Sequence, residues 1–330
     1  MYDVGLVYIG IFLALAFDFG NGLNDAANAI STVVATKVLT IRQAVLLSAF
    51  CNFIAAFVFS TAVAKTIGKG LVVLESITVL VVICAVLSAI FWVYMSSWRG
   101  MPISASHSLI GGLIGAAVAA NGVGVLLWSG IIKVLIFIIV APVLGFIVAI
   151  LFSLLVYNLV KTMAPASVNK WSKRLQLISV SVYSLGHGAN DAQKTMGIIT
   201  LLLFSGGFIS GEFDVPLWVI IVSHGTIALG TLVGGAKVIR TMGMKITKLK
   251  PIHGFCAETS GAGVIIWSTM MGIPVSTTHV IAGSIGGVGS TRRTSAVRWG
   301  MARKLVYAWI ITIPLTAIVG GVSYLLISAF

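Results

Sequence analysis

Two different short motifs each occur twice in this chain, in the same order and at nearly the same spacing. Asn21-Gly22-Leu23-Asn24-Asp25-Ala26 returns 166 positions later as His187-Gly188-Ala189-Asn190-Asp191-Ala192. Pro102-Ile103-Ser104-Ala105-Ser106-His107, followed by Gly111 and Gly115, returns 172 positions later as Pro274-Val275-Ser276-Thr277-Thr278-His279, followed by Gly283 and Gly287. Self-similarity of this kind decides an architecture before any helix is counted, because each copy must be one structural unit. The duplication predicts two repeats, residues 1–164 and 165–330.

What surrounds the motifs is apolar. Of 330 residues only 21 + 8 = 29 are charged and 58% are hydrophobic, against roughly a quarter charged in an ordinary soluble domain. So little charge cannot dress a water-soluble globule, and lipid must take up the apolar surface that no single core can bury. Runs long enough to cross a hydrocarbon core of about 30 Å lie near residues 4–37, 43–64, 71–98, 103–120 and 125–160. The second half repeats them near 175–206, 215–236, 252–271, 275–289 and 305–330. The expected fold is an all-α polytopic membrane protein with broken helices or re-entrant hairpins. The third and fourth runs of each half read either as two spans or as one hairpin with its Pro-Ser-His turn at mid-membrane.

Charge sets the sidedness. The net charge is +13, but the basic residues sit in short links between apolar runs and not on a solvated face, which argues against nucleic acid as a partner. Lys161, Lys170, Lys173 and Arg174 mark the central link; Lys237, Arg240, Lys245, Lys248 and Lys250, then Arg292, Arg293, Arg298, Arg303 and Lys304, mark two later ones. The positive-inside rule makes all three cytoplasmic. The link at 207–214 carries Glu212 and Asp214 and falls outside, whereas its first-half counterpart carries Lys37 and Arg42 and falls inside. Equivalent links on opposite sides imply an inverted-topology repeat in the cell's inner (plasma) membrane with both termini outside. No cleaved signal peptide is expected, and the three cysteines, Cys51, Cys84 and Cys256, lie apart in apolar runs without ligand spacing.

Asp25 and Asp191 interrupt apolar runs, where a carboxylate is costly unless paired, protonated or bound to a cation. Each follows an asparagine (Asn24, Asn190) among small residues that would let a helix unwind and expose carbonyl oxygens, a shell suited to a hard cation such as Na+. A helix-capping role is the plainer reading of either aspartate taken singly. The Pro-x-Ser motif places Ser104, Ala105 and Ser106, and Ser276, Thr277 and Thr278, where a new helix starts. Capping alone would explain them; two such starts inside a membrane, with free N–H groups and positive dipole ends, would also cradle a tetrahedral oxyanion from both sides. His107 and His279 read as turn-stabilising donors more than as zinc ligands. Lys194 is expected to pair with Asp191, or else to face the anion. Glu258 reads equally as a functional acid and as a residue snorkelling to the cytoplasmic side. Asn21, Asn28 and His187 complete the candidates. The paired glycines fit close helix packing better than a phosphate loop.

Asn21 to Ala29 resembles the G-A-N-D-V-A-N-A signature of the inorganic phosphate transporter (PiT) family, and His187 to Gly197 is similar to the second copy carried by its bacterial members. Pro102 to His107 and Pro274 to His279 resemble the family's P-[IV]-S-x-[ST]-H pair. Leu23 and Ala26 depart from the signature, and no glutamate falls between Val79 and Ala89 to match Glu258. The resemblance spans essentially the whole chain. It implies a dimeric α-helical symporter, not an enzyme, that moves inorganic phosphate across the lipid bilayer with Na+ or H+ by alternating access; the Asn-Asp pairs beside small residues favour Na+, held at Asp25 and Asp191, with no further cofactor. H+ coupling is the alternative, an ion channel a remoter one, and a lipid-phosphate enzyme lacks any activated nucleophile here.

Overall fold

Helices supply every regular element longer than a turn among the described residues, 4–329 of the computed structural model. Residues 1–3 and 330, the outer ends of the two expected repeats, lie outside the described residues. In hydrocarbon each backbone N–H and C=O must be satisfied within the chain, and the helix does this segment by segment. The first half contains α1 (Val4–Ala35), α2 (Ile41–Ile54), α3 (Ala62–Lys69), α4 (Val79–Arg99), α5 (Ala105–Asn121) and α6 (Trp128–Val160). The second contains α7 (Pro165–Ser205), α8 (Leu217–Val233), α9 (Ala236–Lys245), α10 (Pro251–Met270), α11 (Thr277–Ser290) and α12 (Trp299–Ile327).

Helices α1, α4, α6 and α12 are each long and apolar enough to cross a membrane. The apolar run at 43–64 is broken: α2 passes through a 3-10 turn, Ala55–Phe57, and α3 leaves it at 81°. The matching pair α8 and α9 bends by 75°. The run at 71–98 passes through a 3-10 turn, Leu74–Ser76, and becomes α-helical only from Val79, where the Thr78 hydroxyl accepts the Val81 N–H at 3.3 Å. Two basic links prove to be helical. Helix α7 starts at Pro165, so Lys170, Lys173 and Arg174 ride on its first turns, and α9 carries Lys237, Arg240 and Lys245 outward while Val238, Ile239 and Met242 are buried.

The third and fourth runs form hairpins. Helix α4 ends at Gly100 (φ 68°) and α10 just before Gly272 (φ 66°), a left-handed conformation that glycine adopts without a Cβ penalty. At the first tip Gly100 N–H donates to Ser97 O at 3.0 Å and Met101 N–H to Ser96 O at 2.9 Å; at the second Gly272 donates to Thr269 O at 3.0 Å and Ile273 to Ser268 O at 2.9 Å. Each pattern closes the preceding helix and turns the chain back. The tips meet inside the molecule: the Thr278 hydroxyl donates to Ile103 O at 2.9 Å, and the rings of His107 and His279 are 4.8 Å apart. With 14 residues, α11 is about 21 Å long at ~1.5 Å per residue, too short to cross unaided.

Each returning helix packs on the last helix of the other half, α5 on α12 and α11 on α6. Glycine makes this possible. A Cβ on Gly111 would sit 2.6 Å from Ile313 O, and one on Gly115, Gly283 or Gly287 would collide with the backbone oxygen of Ala317, Pro142 or Phe146 respectively. Close backbone approach of this kind replaces the hydrophobic effect as the source of helix association in lipid. Gly115→Ala should therefore destabilise the folded protein by about 1–3 kcal/mol, whereas Gly124→Ala, whose Cβ would meet nothing within 4 Å, should not. Thermal midpoints of the two detergent-purified variants, read by size-exclusion chromatography, check this; equal midpoints would refute the packing account.

Candidate functional site

Helices α1 and α7 pass through the centre of the molecule without a break, and Asp25 and Asp191 lie on their buried faces. The unwinding expected around the small residues does not occur. Those residues admit neighbours instead: a Cβ on Gly22 would collide with Ile227 O, and one on Gly188 would lie 2.6 Å from the Asn52 Cα. The polar groups therefore come from side chains and from the hairpin tips, with the long helices intact.

Thr277 and Thr278, on the first turn of α11, bring the two halves together. The Thr278 hydroxyl lies 3.3 Å from Asp25 Oδ1, and the Thr277 hydroxyl lies 3.5 Å from Asp25 Oδ2 and 3.0 Å from Asp191 Oδ2. Asn28 donates its amide to both hydroxyls, at 2.8 Å to Thr278 and 3.4 Å to Thr277. His187 Nε2 is 3.2 Å from Asp191 Oδ2, and its Nδ1 is 3.1 Å from Asn52 Oδ1. Ligand atoms of Asp25, His187 and Asp191 all lie within 4.8 Å of one another, close enough for one ion to touch all three. Lys194 pairs with Asp191 Oδ1 and donates to Val275 O at 3.0 Å, so pairing is the fate the structure gives it.

The asparagines present a consistent pattern. Asn24 donates to Ser97 at 2.7 Å and Asn190 to Thr269 at 2.9 Å, so with Asn28 three amide nitrogens are anchored. The side-chain oxygens of all three have no hydrogen-bond partner, nor does either polar atom of Asn21. Buried polar atoms are overwhelmingly paired, and unpaired amide oxygens around two carboxylates form the oxygen-rich shell a hard cation requires.

At the helix starts, capping accounts for part of the Pro-x-Ser motif. Ser104 accepts the His107 N–H at 3.2 Å and Ser276 the His279 N–H at 3.3 Å. The preceding amides, of Ala105 and Ser106 and of Thr277 and Thr278, have no acceptor within their helices and are buried. Thus His107 and His279 serve the turns through their backbone; the His279 ring stacks on Trp309 at 3.8 Å between centroids.

Glu258 does not snorkel. It is fully buried and accepts hydrogen bonds from Thr32 at 2.5 Å, Gln176 at 2.8 Å and Ser179 at 2.5 Å, because α10 carries it to the junction of α1 and α7. Asp18, also fully buried, was not among the sequence candidates. Thr195 donates to its Oδ1 at 2.8 Å, and its Oδ2 has no partner. An acid between Phe17 and Phe19 carries the same signal as Asp25, but it falls outside the duplicated motif, with Ser184 at the corresponding place.

Comparison with known proteins agrees with this geometry. The sequence pattern of the phosphate transporter family matches residues 21–320. A Rhizobium meliloti (strain 1021) protein named "Probable low-affinity inorganic phosphate transporter" is 49% identical, over 97% of this chain and 95% of its own. A Bacillus subtilis (strain 168) protein of the same name is 41% identical, over 98% and 97%. A solved structure named "The sodium-dependent phosphate transporter" superposes with a TM-score of 0.90 at 25% identity, covering 99% of this chain and 100% of that one. Membrane-crossing helices, two hairpin tips meeting at buried acids and a match across nearly the whole chain lead to one assignment: this membrane protein belongs to the phosphate transporter family, and it is a transporter, not an enzyme.

Proposed function

We propose that this chain is a Na+-coupled phosphate symporter that works by alternating access. The observation that carries the reading is the convergence of Asp25 and Asp191 on the hydroxyl-bearing start of α11, with both carboxylates inside hydrogen-bonding reach of Thr277. An anion bound at the helix starts, by Ala105, Ser106, Thr277 and Thr278 with Ser104 and Ser276 holding the turns, would sit beside the carboxylates, and like charges that close repel. A cation between them removes the repulsion. Binding of the two solutes is therefore mutually dependent, which is the thermodynamic requirement for coupled transport. The unpaired oxygens of Asn24, Asn28 and Asn190 favour Na+ over a proton, because a proton needs one carboxylate and no neutral oxygen shell. The sodium dependence in the structural neighbour's name points the same way.

In this reading residues 1–164 and 165–330 are inverted repeats, the protein is a homodimer in the inner membrane with both termini outside, and the hairpin tips carry phosphate between the two faces. His187 belongs to the cation shell; Asn21, His107, Glu258 and His279 support it.

Asp25→Asn removes charge and little volume, so the variant should purify folded yet lose Na+-driven uptake of labelled phosphate in proteoliposomes; uptake at the wild-type rate would refute the cation site. The double variant Thr277→Ala/Thr278→Ala should weaken phosphate binding, each lost hydrogen bond to a charged acceptor costing about 1.5–3 kcal/mol. Isothermal titration giving wild-type affinity would return both hydroxyls to a structural role. At equal pH on both sides, an imposed Na+ gradient should drive accumulation; if choline replaces Na+ without loss and only a pH gradient works, the coupling ion is H+.

A further inference from the structure

The spacing that places Asp191 opposite Asp25 also places Lys194 opposite Asn28, each three residues beyond its aspartate. The second spacing places Val275 opposite Ile103, in each case the residue whose carbonyl precedes the helix cap. Each half thus brings the same two oxygens together, an aspartate carboxylate and a hairpin-tip carbonyl. What bridges them differs. In the second half the Lys194 ammonium pairs with Asp191 Oδ1 and donates to Val275 O at 3.0 Å. In the first half the bridge is neutral: the Thr278 hydroxyl lies 3.3 Å from Asp25 Oδ1 and 2.9 Å from Ile103 O.

One hydroxyl proton cannot serve both oxygens, and it brings no charge. Asn28, in the place of Lys194, donates to that hydroxyl at 2.8 Å and leaves its own oxygen, like that of Asn24, without a partner. Unclaimed amide oxygens occur in both halves, at Asn24 and Asn28 and at Asn190, but among the described residues Asp25 has no ion pair of its own. The second half has its counter-charge covalently attached. An ammonium is a compact unit charge whose N–H groups point at the oxygens a hard cation would coordinate, and both partners here are buried.

We propose that Lys194 is a tethered cation, occupying in the second half the position that an exchangeable ion takes in the first, so that the cycle uses one free cation fewer than a chain with asparagine in both copies. This rests on the cation-site reading above. It adds a residue that sets the coupling ratio, and with it the ceiling on phosphate accumulation, since each ion carried adds its own gradient to the driving force.

The test counts ions. Equilibrium binding of radioactive Na+ to the purified full-length protein, in saturating phosphate, is compared among wild type, Lys194→Asn and Asn28→Lys. Lys194→Asn should bind one more Na+ per chain than wild type, and its phosphate uptake in proteoliposomes should depend on Na+ with a Hill coefficient higher by up to one. Asn28→Lys should bind one fewer. Lys194→Arg keeps the charge and should keep the wild-type count. Where one substitution does not give a folded protein, the other, acting in the opposite direction, decides. Equal Na+ counts in wild type and a folded variant of either kind overturn the proposal. A wild type indifferent to Na+ beside a Na+-stimulated Lys194→Asn overturns Na+ coupling but upholds the tethered cation; indifference of both overturns the tethered cation as well.

Discussion

A carboxylate removed from water must acquire donors or a counter-charge, and this fold is arranged around four that have been so removed. Of the seven acidic residues among the described residues, Asp18, Asp25, Asp191 and Glu258 are buried. Each draws partners from other helices. Asp18 is served from α7 by Thr195 and Glu258 from α1 and α7 by Thr32, Gln176 and Ser179, while Asp25 lies beside the α11 hydroxyls of Thr277 and Thr278, which it shares with Asp191 Oδ2 and Ile103 O. Asp191 draws on α11 through Thr277 as well as on its own helix through His187 and Lys194. Because lipid offers helices no hydrophobic reason to associate, these contacts and the glycine-lined crossings together fix how α1, α7, α10 and α11 sit.

The hairpins solve a second problem of the same kind. A helix that starts in mid-membrane exposes N–H groups, and one that stops there exposes carbonyls. At both tips the glycine caps dispose of part of the carbonyl set, and Ser104 and Ser276 dispose of part of the N–H set. The amides left over lie on the same tips, where the Thr277 and Thr278 hydroxyls reach the carboxylates of the long helices. Structural need and the proposed binding capacity thus fall on neighbouring residues: Ser276 caps its helix while Thr277 reaches both aspartates.

Much of this was legible in the sequence because it was written twice. The paired Asn-Asp and Pro-x-Ser motifs singled out the acids and the helix starts that the structure brings together, but left open whether those starts were spans or hairpin tips, and suggested an unwinding around the acids that α1 and α7 do not show. Features written once were harder to read. Asp18 has no counterpart, and the partners of Glu258 lie 226, 82 and 79 residues away, so its burial is a tertiary fact invisible to any local pattern. The bend after Ile54 escaped because composition stays apolar across it. The amphipathic α9 and the first turns of α7 passed for loops because their basic residues point outward while one face stays buried.

The crossing of α5 over α12 has a consequence for biogenesis. A chain is made from its N-terminus, and α11 meets a partner, α6, that has long been synthesised. Helix α5 has no such luck: its glycine face is complementary to Ile313, Thr316 and Ala317, which emerge roughly two hundred residues later. Until then α5 has chiefly its hairpin partner α4 to pack against. The last helix therefore completes the packing of the first hairpin: the glycine face of α5 has its partner only once α12 is in place.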